Sequence, residues 1–368
     1  MTKRERYVDY VKNGGEKFCS PQIGAGAGFD TKMAGKEWVS ETTMEDTIRA
    51  TEQFDMLALY NFGLPDASFC NPDLAFKNIS FEDGEERKST YEFVCEKGRL
   101  ERQFVEHKYS GTTPISYPVQ DEEDLDVFEW FLDESLKTDL SPITDFVKNA
   151  SDMIGDRGAV SLQWGMQPYE LFSWPDTVTA MFLANDCTEK YLGLMDKIVE
   201  LDFKFIECCA KGGADFVFLG TPAAEIISPR YFEEFIVPYS KIVTAEAHRQ
   251  GLLVYSHVCS PIEPMLTNGY FNEMGIDLFE TLSMPPVGNV ESLADALSKL
   301  DPKICTRGNI GLDLLINETP ERIEQECFTA LKPPKAANIF WLRATTCSTT
   351  SPKKMFVRCV ILSKNMKQ

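Results

Sequence analysis

The chain has three histidines, His107, His248 and His257, so any imidazole chemistry must use one of them. His248 falls in the last turn of a predicted helix that ends at Gly251, where a histidine serves the helix dipole or the surface. His107 lies in an irregular stretch with no constellation around it. His257 ends the run LLVYSHVC, with Cys259 next but one in sequence. Residues i and i+2 of a strand project to one face, so this imidazole and thiol can converge on one ion. Imidazole nitrogen and thiolate sulfur suit Zn²⁺, a borderline-soft cation. Alone, His-x-Cys is short and common, and fits a buried histidine beside a buried cysteine equally well.

Further donors follow downstream: Glu280 in DLFETL, Cys305 in KICTRGNI, and Cys347 beyond ANIFWLRATTC. A catalytic zinc keeps three protein ligands and one open position. His257, Cys259 and Cys347 would supply the three, with Glu280 as an exchangeable fourth ligand or a catalytic carboxylate. Cys305 competes for the third place unless it points into the packed barrel wall. Gln163, Trp164, Met166 and Tyr169 stand at and after another strand end. They read either as an aromatic-friendly substrate wall or as core. Arg307 and Asn309 are placed to orient a polar substrate group. Gly24 to Gly28 would let backbone approach a ligand or simply make a flexible loop, and with no Gly-Lys-Ser/Thr after it the segment is not a phosphate loop.

The elements that must carry these residues show as alternation. From about residue 155, the runs AVSLQW, DFVFLG, LLVYSH, DLFETL, KICTRG and ANIFWLRA are separated by helical patterns, which argues for βαβ units and a parallel sheet. Ser228-Pro229 marks one helix start and Gly251 its end. Adding DMLALY (55–60) and FCSPQIG (18–24) brings the strands to eight, the number that closes a (β/α)8 TIM barrel. In such a barrel the strand C-termini gather the chemistry, which is where His257 and its companions fall. The fold class is therefore α/β, one barrel domain over residues 1–368. Residues 65–120 break the alternation and read as an inserted excursion of short strands or hairpins after the second strand. The acidic run QDEEDLDVFEWFLDE reads as a helix start.

With 368 residues, 43% of them hydrophobic, the chain can bury a large core. A net charge of -20 excludes nucleic acid and anionic membrane surfaces as partners, since an acidic body repels both. Eleven cysteines without framework spacing, and an opening that lacks an apolar h-region, predict a reduced, cytoplasmic protein. No apolar run approaches the ~18 residues of a spanning helix.

The stretch GGADFVFLGTPAAEIISPRYFEEFIVPYSKIVTAEAHRQGLLVYSHVCSPIEPML, with GIDLFETLSMPPVGNVESLADAL and CTRGNIGLDLLINETPERIEQE after it, resembles the uroporphyrinogen decarboxylase superfamily. Within that superfamily it is more similar to the zinc-dependent cobalamin (corrinoid) methyltransferases than to the decarboxylases. The resemblance implies a (β/α)8 barrel with zinc at the strand C-termini on His257, Cys259 and Cys347, and Glu280 at a position proposed as a further ligand in coenzyme M methyltransferases. It departs at Ser260, where a glycine is usual, and in the chain end SPKKMFVRCVILSKNMKQ. The arginine-rich N-terminal loop of true decarboxylases is replaced by SPQIGAGAGFDTKMAGKEW, without an arginine. A porphyrinogen's many carboxylates need cationic partners, which argues against that substrate. The implied activity is methyl transfer between a small molecule, such as an aryl methyl ether or a methanol-like donor, and the cobalt of a partner corrinoid protein. A methylcobalamin:thiol methyltransferase and a diverged decarboxylase-like enzyme are the alternatives. The residues do not choose between a monomer and a homodimer.

Overall fold

The computed structural model describes residues 1–13, 19–22, 28–53, 57–164, 173–221, 227–308, 310, 314, 317–330 and 340–343. The strands are β1 (Cys19–Gln22), β2 (Ala58–Gly63), β3 (Lys77–Glu82), β4 (Arg87–Cys95), β5 (Gly98–His107), β6 (Gly111–Ser116), β7 (Gly158–Gln163), β8 (Phe216–Gly220), β9 (Leu253–His257), β10 (Leu278–Glu280), β11 (Cys305–Thr306) and β12 (Phe340–Arg343). Six of them form a parallel sheet in the order β11-β10-β9-β8-β7-β2, and β1 pairs in parallel with β12. All eight expected runs overlap one of these strands. The fold is α/β and TIM-barrel-like, with the six-stranded and two-stranded pieces not joined by strand pairing among the described residues.

Why apolar runs became parallel strands is visible in their two faces. In register, Phe216 stands beside Leu253, Phe218 beside Tyr255, and Tyr255 and Cys305 beside Leu278. These residues, with Leu59 and Ala159, form one buried cluster on the inner face of the sheet. The alternate residues, such as Val160, Leu162, Val217, Leu219 and Val254, belong to a second cluster shared with the helices outside. A strand buried on both faces reads as continuous apolar sequence, as parallel strands do.

The N-terminal helix Lys3–Asn13 closes the base of this inner cluster with Tyr7, Tyr10 and Val11. Tyr7 meets Phe216 edge to face at 5.8 Å. Arg4 pins the helix to Asp215, the residue before β8, with a 2.9 Å ion pair. Asp215 also accepts the Val160 N–H of β7 at 2.9 Å, and Asp277 accepts that of Val254 in β9 at 2.7 Å. An aspartate at a strand's start thus ties down its neighbour twice over.

After β2 the chain leaves the sheet at its C-terminal edge and builds a four-stranded antiparallel sheet in the order β3-β4-β5-β6. Phe93 and Leu100 anchor it on the helix Asp124–Lys137, whose Phe128 and Phe131 are buried. The turn after β5 reaches Gly28, at φ +77°, where a Cβ would collide with the Tyr109 carbonyl. That glycine serves a close backbone approach. Residues 24–27 of the glycine-rich segment lie outside the described residues.

The helix cap at Ser228 forms, its Oγ accepting from the Tyr231 N–H at 3.1 Å. A π-turn at Phe232–Ile236 precedes Pro238 in the helix Val237–Arg249. Proline offers no N–H to the turn before it, and a π-turn accommodates the missing bond. Gly251, at φ +85°, ends the helix with Leu252 N–H on the Ala247 carbonyl at 3.0 Å, a Schellman closure. No helix among the described residues is long and apolar enough to cross a membrane.

Candidate functional site

Along the inner face, residue character changes from base to mouth. Leu253 and Tyr255 are followed by His257, Leu278 by Glu280, Cys305 by Arg307, Leu59 by Asn61. The two-residue alternation of a strand carries each side chain from the apolar interior to a polar layer at the C-terminal end. β9 and β10 place His257 directly beside Glu280.

Glu280 is 1% exposed and Arg307 3%. The carboxylate takes the guanidinium through one oxygen, from Nε at 3.1 Å and from Nη2. Arg307 Nη1 donates to the Tyr7 hydroxyl at 3.1 Å, and the guanidinium lies 4.8 Å from the Tyr255 ring. Burial works against the charge on Arg307, but the Glu280 carboxylate outweighs it and holds its pKa above the usual arginine range. Burial pushes the Tyr7 hydroxyl up in the same place, so it stays protonated.

His257 is held with Nδ1 3.8 Å from Glu280 Oε2, its side chain 19% exposed. The Thr221 hydroxyl donates to the His257 carbonyl at 3.3 Å, fixing the strand end. Cys259, just past the strand, presents an exposed thiol. Behind this corner Gly308, at φ +113°, packs against Thr281, where an added Cβ would stand 2.6 Å from Cγ2. Only glycine meets both the backbone angle and the contact.

The structure thus brings His257, Glu280 and Arg307 together, with Cys259 at the end of the same strand. Cys347, Tyr169 and Asn309 lie outside the described residues, as does Met166. β12 ends at Arg343, shortly before Cys347 in the chain. Cys305 sits in the inner cluster below Arg307, wholly buried, and burial pushes its thiol well above the usual range. Gln163 meets Asn61, whose amide nitrogen donates to its Oε1 at 3.0 Å. Trp164 turns the other way, giving its indole N–H to Asp202 at 2.7 Å and stacking on Phe205, so it is core of the helix layer. Arg307, expected to orient a substrate group, spends donors on Glu280 and Tyr7 inside the barrel. Tyr7 and Tyr255 were not among the residues singled out from sequence.

As a zinc donor set, His257 and Cys259 fit in type and in position on one strand end. Among the described residues no three His, Cys, Asp or Glu side chains are grouped closely enough to hold a metal. A zinc site with three protein ligands at this corner would have to draw a donor from outside them.

A parallel, barrel-like α/β sheet whose polar side chains collect at the strand C-termini is an architecture of the TIM-barrel class. The chain belongs to the uroporphyrinogen decarboxylase (URO-D) family, whose model matches residues 171–357, just over half its length. Among solved structures, a methyltransferase from Methanosarcina mazei shares the fold with a TM-score of 0.66 at 12% identity, over 100% of this chain and 99% of that one. The apo form of 3-keto-D-glucoside 4-epimerase from E. coli is only loosely similar, with a TM-score of 0.37 at 11% identity over 69% of this chain and 97% of that one. No curated protein matches the sequence.

Proposed function

We propose that this chain is a zinc-dependent methyltransferase that moves a methyl group from a small methyl ether, such as an aryl methyl ether, to the cobalt of a partner corrinoid protein. The observation that carries the reading is the strand-end corner, in which His257 stands beside a buried Glu280 and Cys259 follows with an exposed thiol. Membership of the URO-D family, and a fold shared with a methyltransferase over its whole length, support it. His257, Cys259 and Cys347 would hold the metal. When bound, zinc supplies a Lewis acid for the ether oxygen. Glu280 sets the orientation of the imidazole, as the outer partner of a metal-bound histidine commonly does. Arg307, itself held by the Tyr7 hydroxyl, balances that carboxylate, which makes it a positioning residue. Gln163, Tyr169 and Asn309 would line the mouth and orient the donor, over which the corrinoid protein docks.

The test is zinc content, by elemental analysis, of wild type, His257→Ala/Cys259→Ser and Cys347→Ser, each shown to be folded. About one zinc per chain in wild type and its loss in the variants would then be followed by methyl-transfer assays with aryl methyl ethers and a corrinoid protein, with thiols as the control acceptor. A wild-type protein that binds no zinc at saturation sinks the proposal.

A further inference from the structure

One face of the β3–β6 sheet carries a feature that the strand-end corner does not use. Register pairs Tyr91 with Arg102, Ser89 with Phe104 and Arg87 with Glu106, which puts all six on that face. They line a cavity of about 520 Å³. The Arg102 guanidinium lies 4.0 Å from the Phe76 ring, 5.5 Å from Phe104 and 5.8 Å from Tyr91. It has no hydrogen bond or ion pair among the described residues, and its Nε is shut off from solvent. The neighbouring arginines of the sheet are all paired, Arg87 with Glu41, Asp83 and Glu106, and Arg99 with Glu92 and Glu101.

A chain with 57 acidic residues against 37 basic ones does not lack carboxylates to offer. Asp66, whose charge acts on Arg102, instead accepts from the Ser68 N–H and hydroxyl. Withholding a partner from a partly buried cation costs stability unless something else supplies one. Ring stacking covers the faces of a guanidinium and leaves its N–H edge for a planar anion, which a carboxylate matches with two parallel bonds. Of the charged residues on the cavity wall, Arg87 and Glu106 face each other at 3.8 Å, which leaves Arg102 as the wall's cation without an ion pair among the described residues. Its volume falls in the range that takes a small organic ligand.

We propose that this face of the sheet binds a small aromatic monocarboxylate, with the carboxylate on Arg102 and the ring against Tyr91 and Phe104. The test is calorimetric titration of the full chain with benzoate, benzamide, cyclohexanecarboxylate and inorganic phosphate. Benzoate binds saturably, at least about tenfold tighter than any of the other three, and weakens at least about tenfold in Arg102→Gln. Ser89→Trp, which fills the cavity and leaves Arg102 in place, abolishes binding and covers the case in which Arg102→Gln does not fold. Absence of saturable benzoate binding, equal binding to either variant, or phosphate, benzamide or cyclohexanecarboxylate binding as well as benzoate overturns the proposal.

Discussion

Replacing Arg307 by methionine tests whether the polar layer of the barrel is a coupled buried unit. In the native protein Glu280 is 1% exposed and its partner 3%, and one carboxylate oxygen takes both Nε and Nη2. Arg307→Met leaves that carboxylate without its counter-ion in a site closed from below by Tyr7 and from the side by Tyr255. Breaking a buried pair from one side costs about 3–5 kcal/mol, whereas an exposed pair would cost about 0–1 kcal/mol. Against a total stability of about 5–15 kcal/mol, the variant is severely weakened but still measurable. Removing both charges in Glu280→Leu/Arg307→Met takes away the stranded carboxylate, so the double variant recovers at least about 2 kcal/mol over the single one. Equilibrium urea unfolding of the two single variants and the double one, followed by circular dichroism, closes the cycle. A cost below about 1 kcal/mol for Arg307→Met, or a double variant equal to the sum of the singles, would refute the coupling.

Two further positions probe the supports of the corner, and a third probes the base of β10. Gly308→Ala meets a positive φ and the Thr281 methyl together; about 1–3 kcal/mol of backbone strain plus a packing cost is expected in thermal unfolding, with Thr281→Ser relieving only the second part. Tyr7→Phe keeps the ring against Phe216 but removes the acceptor of Arg307 Nη1, for an expected loss of about 1.5–3 kcal/mol in urea; an unchanged midpoint would contradict the assigned bond. His248 bonds Asp277 at 2.8 Å, and that bond raises its pKa. Its stabilisation is therefore full below the unfolded-state value of about 6.5 and is lost as pH rises through the higher folded-state value. With the side chain 42% exposed, His248→Asn should cost less than about 1 kcal/mol at low pH and nothing at high pH; a pH-independent difference would exclude the ion pair.

The strands were legible because parallel strands buried on both faces leave unbroken apolar runs, and their C-terminal ends follow from direction alone. The antiparallel β3–β6 sheet was legible as an excursion of short strands or hairpins but not strand by strand, since Lys77–Glu82 is exposed throughout and its Ile79 and Phe81 face no core. The neighbourhood of His257 and Glu280 followed from strand-end logic, but the partner of Glu280 did not. Arg307 looked available for substrate because a charged residue at a strand end is usually aimed at the mouth. Its true surroundings include Tyr7, 300 positions earlier in the chain, and no local pattern announces a contact of that span. Trp164 was ambiguous for a related reason: one step along β7 separates the inner face from the helix layer, and an aromatic residue suits both. The φ of Gly308 is equally silent in sequence, because glycine is compatible with every backbone region.

The same side-chain chemistry does opposite work at the two ends of β10, and distance explains why. Asp277 lies just before the strand and Glu280 ends it, so about 10 Å of extended chain separates them. At the base, Asp277 meets a backbone N–H and His248 near solvent, which fixes strand to helix. At the mouth, Glu280 is sealed behind His257 and can be tolerated there only with Arg307 supplied from β11's end and Tyr7 closing beneath it. The N-terminal helix is therefore a component of the corner as well as a plug: it carries the hydroxyl that receives the guanidinium, while Arg4 fastens it to Asp215 at the base of the sheet. Arg4–Asp215 at the base and Tyr7, Arg307, Glu280 and His257 above it thus form one line of contacts from the foot of the helix to the mouth of the sheet.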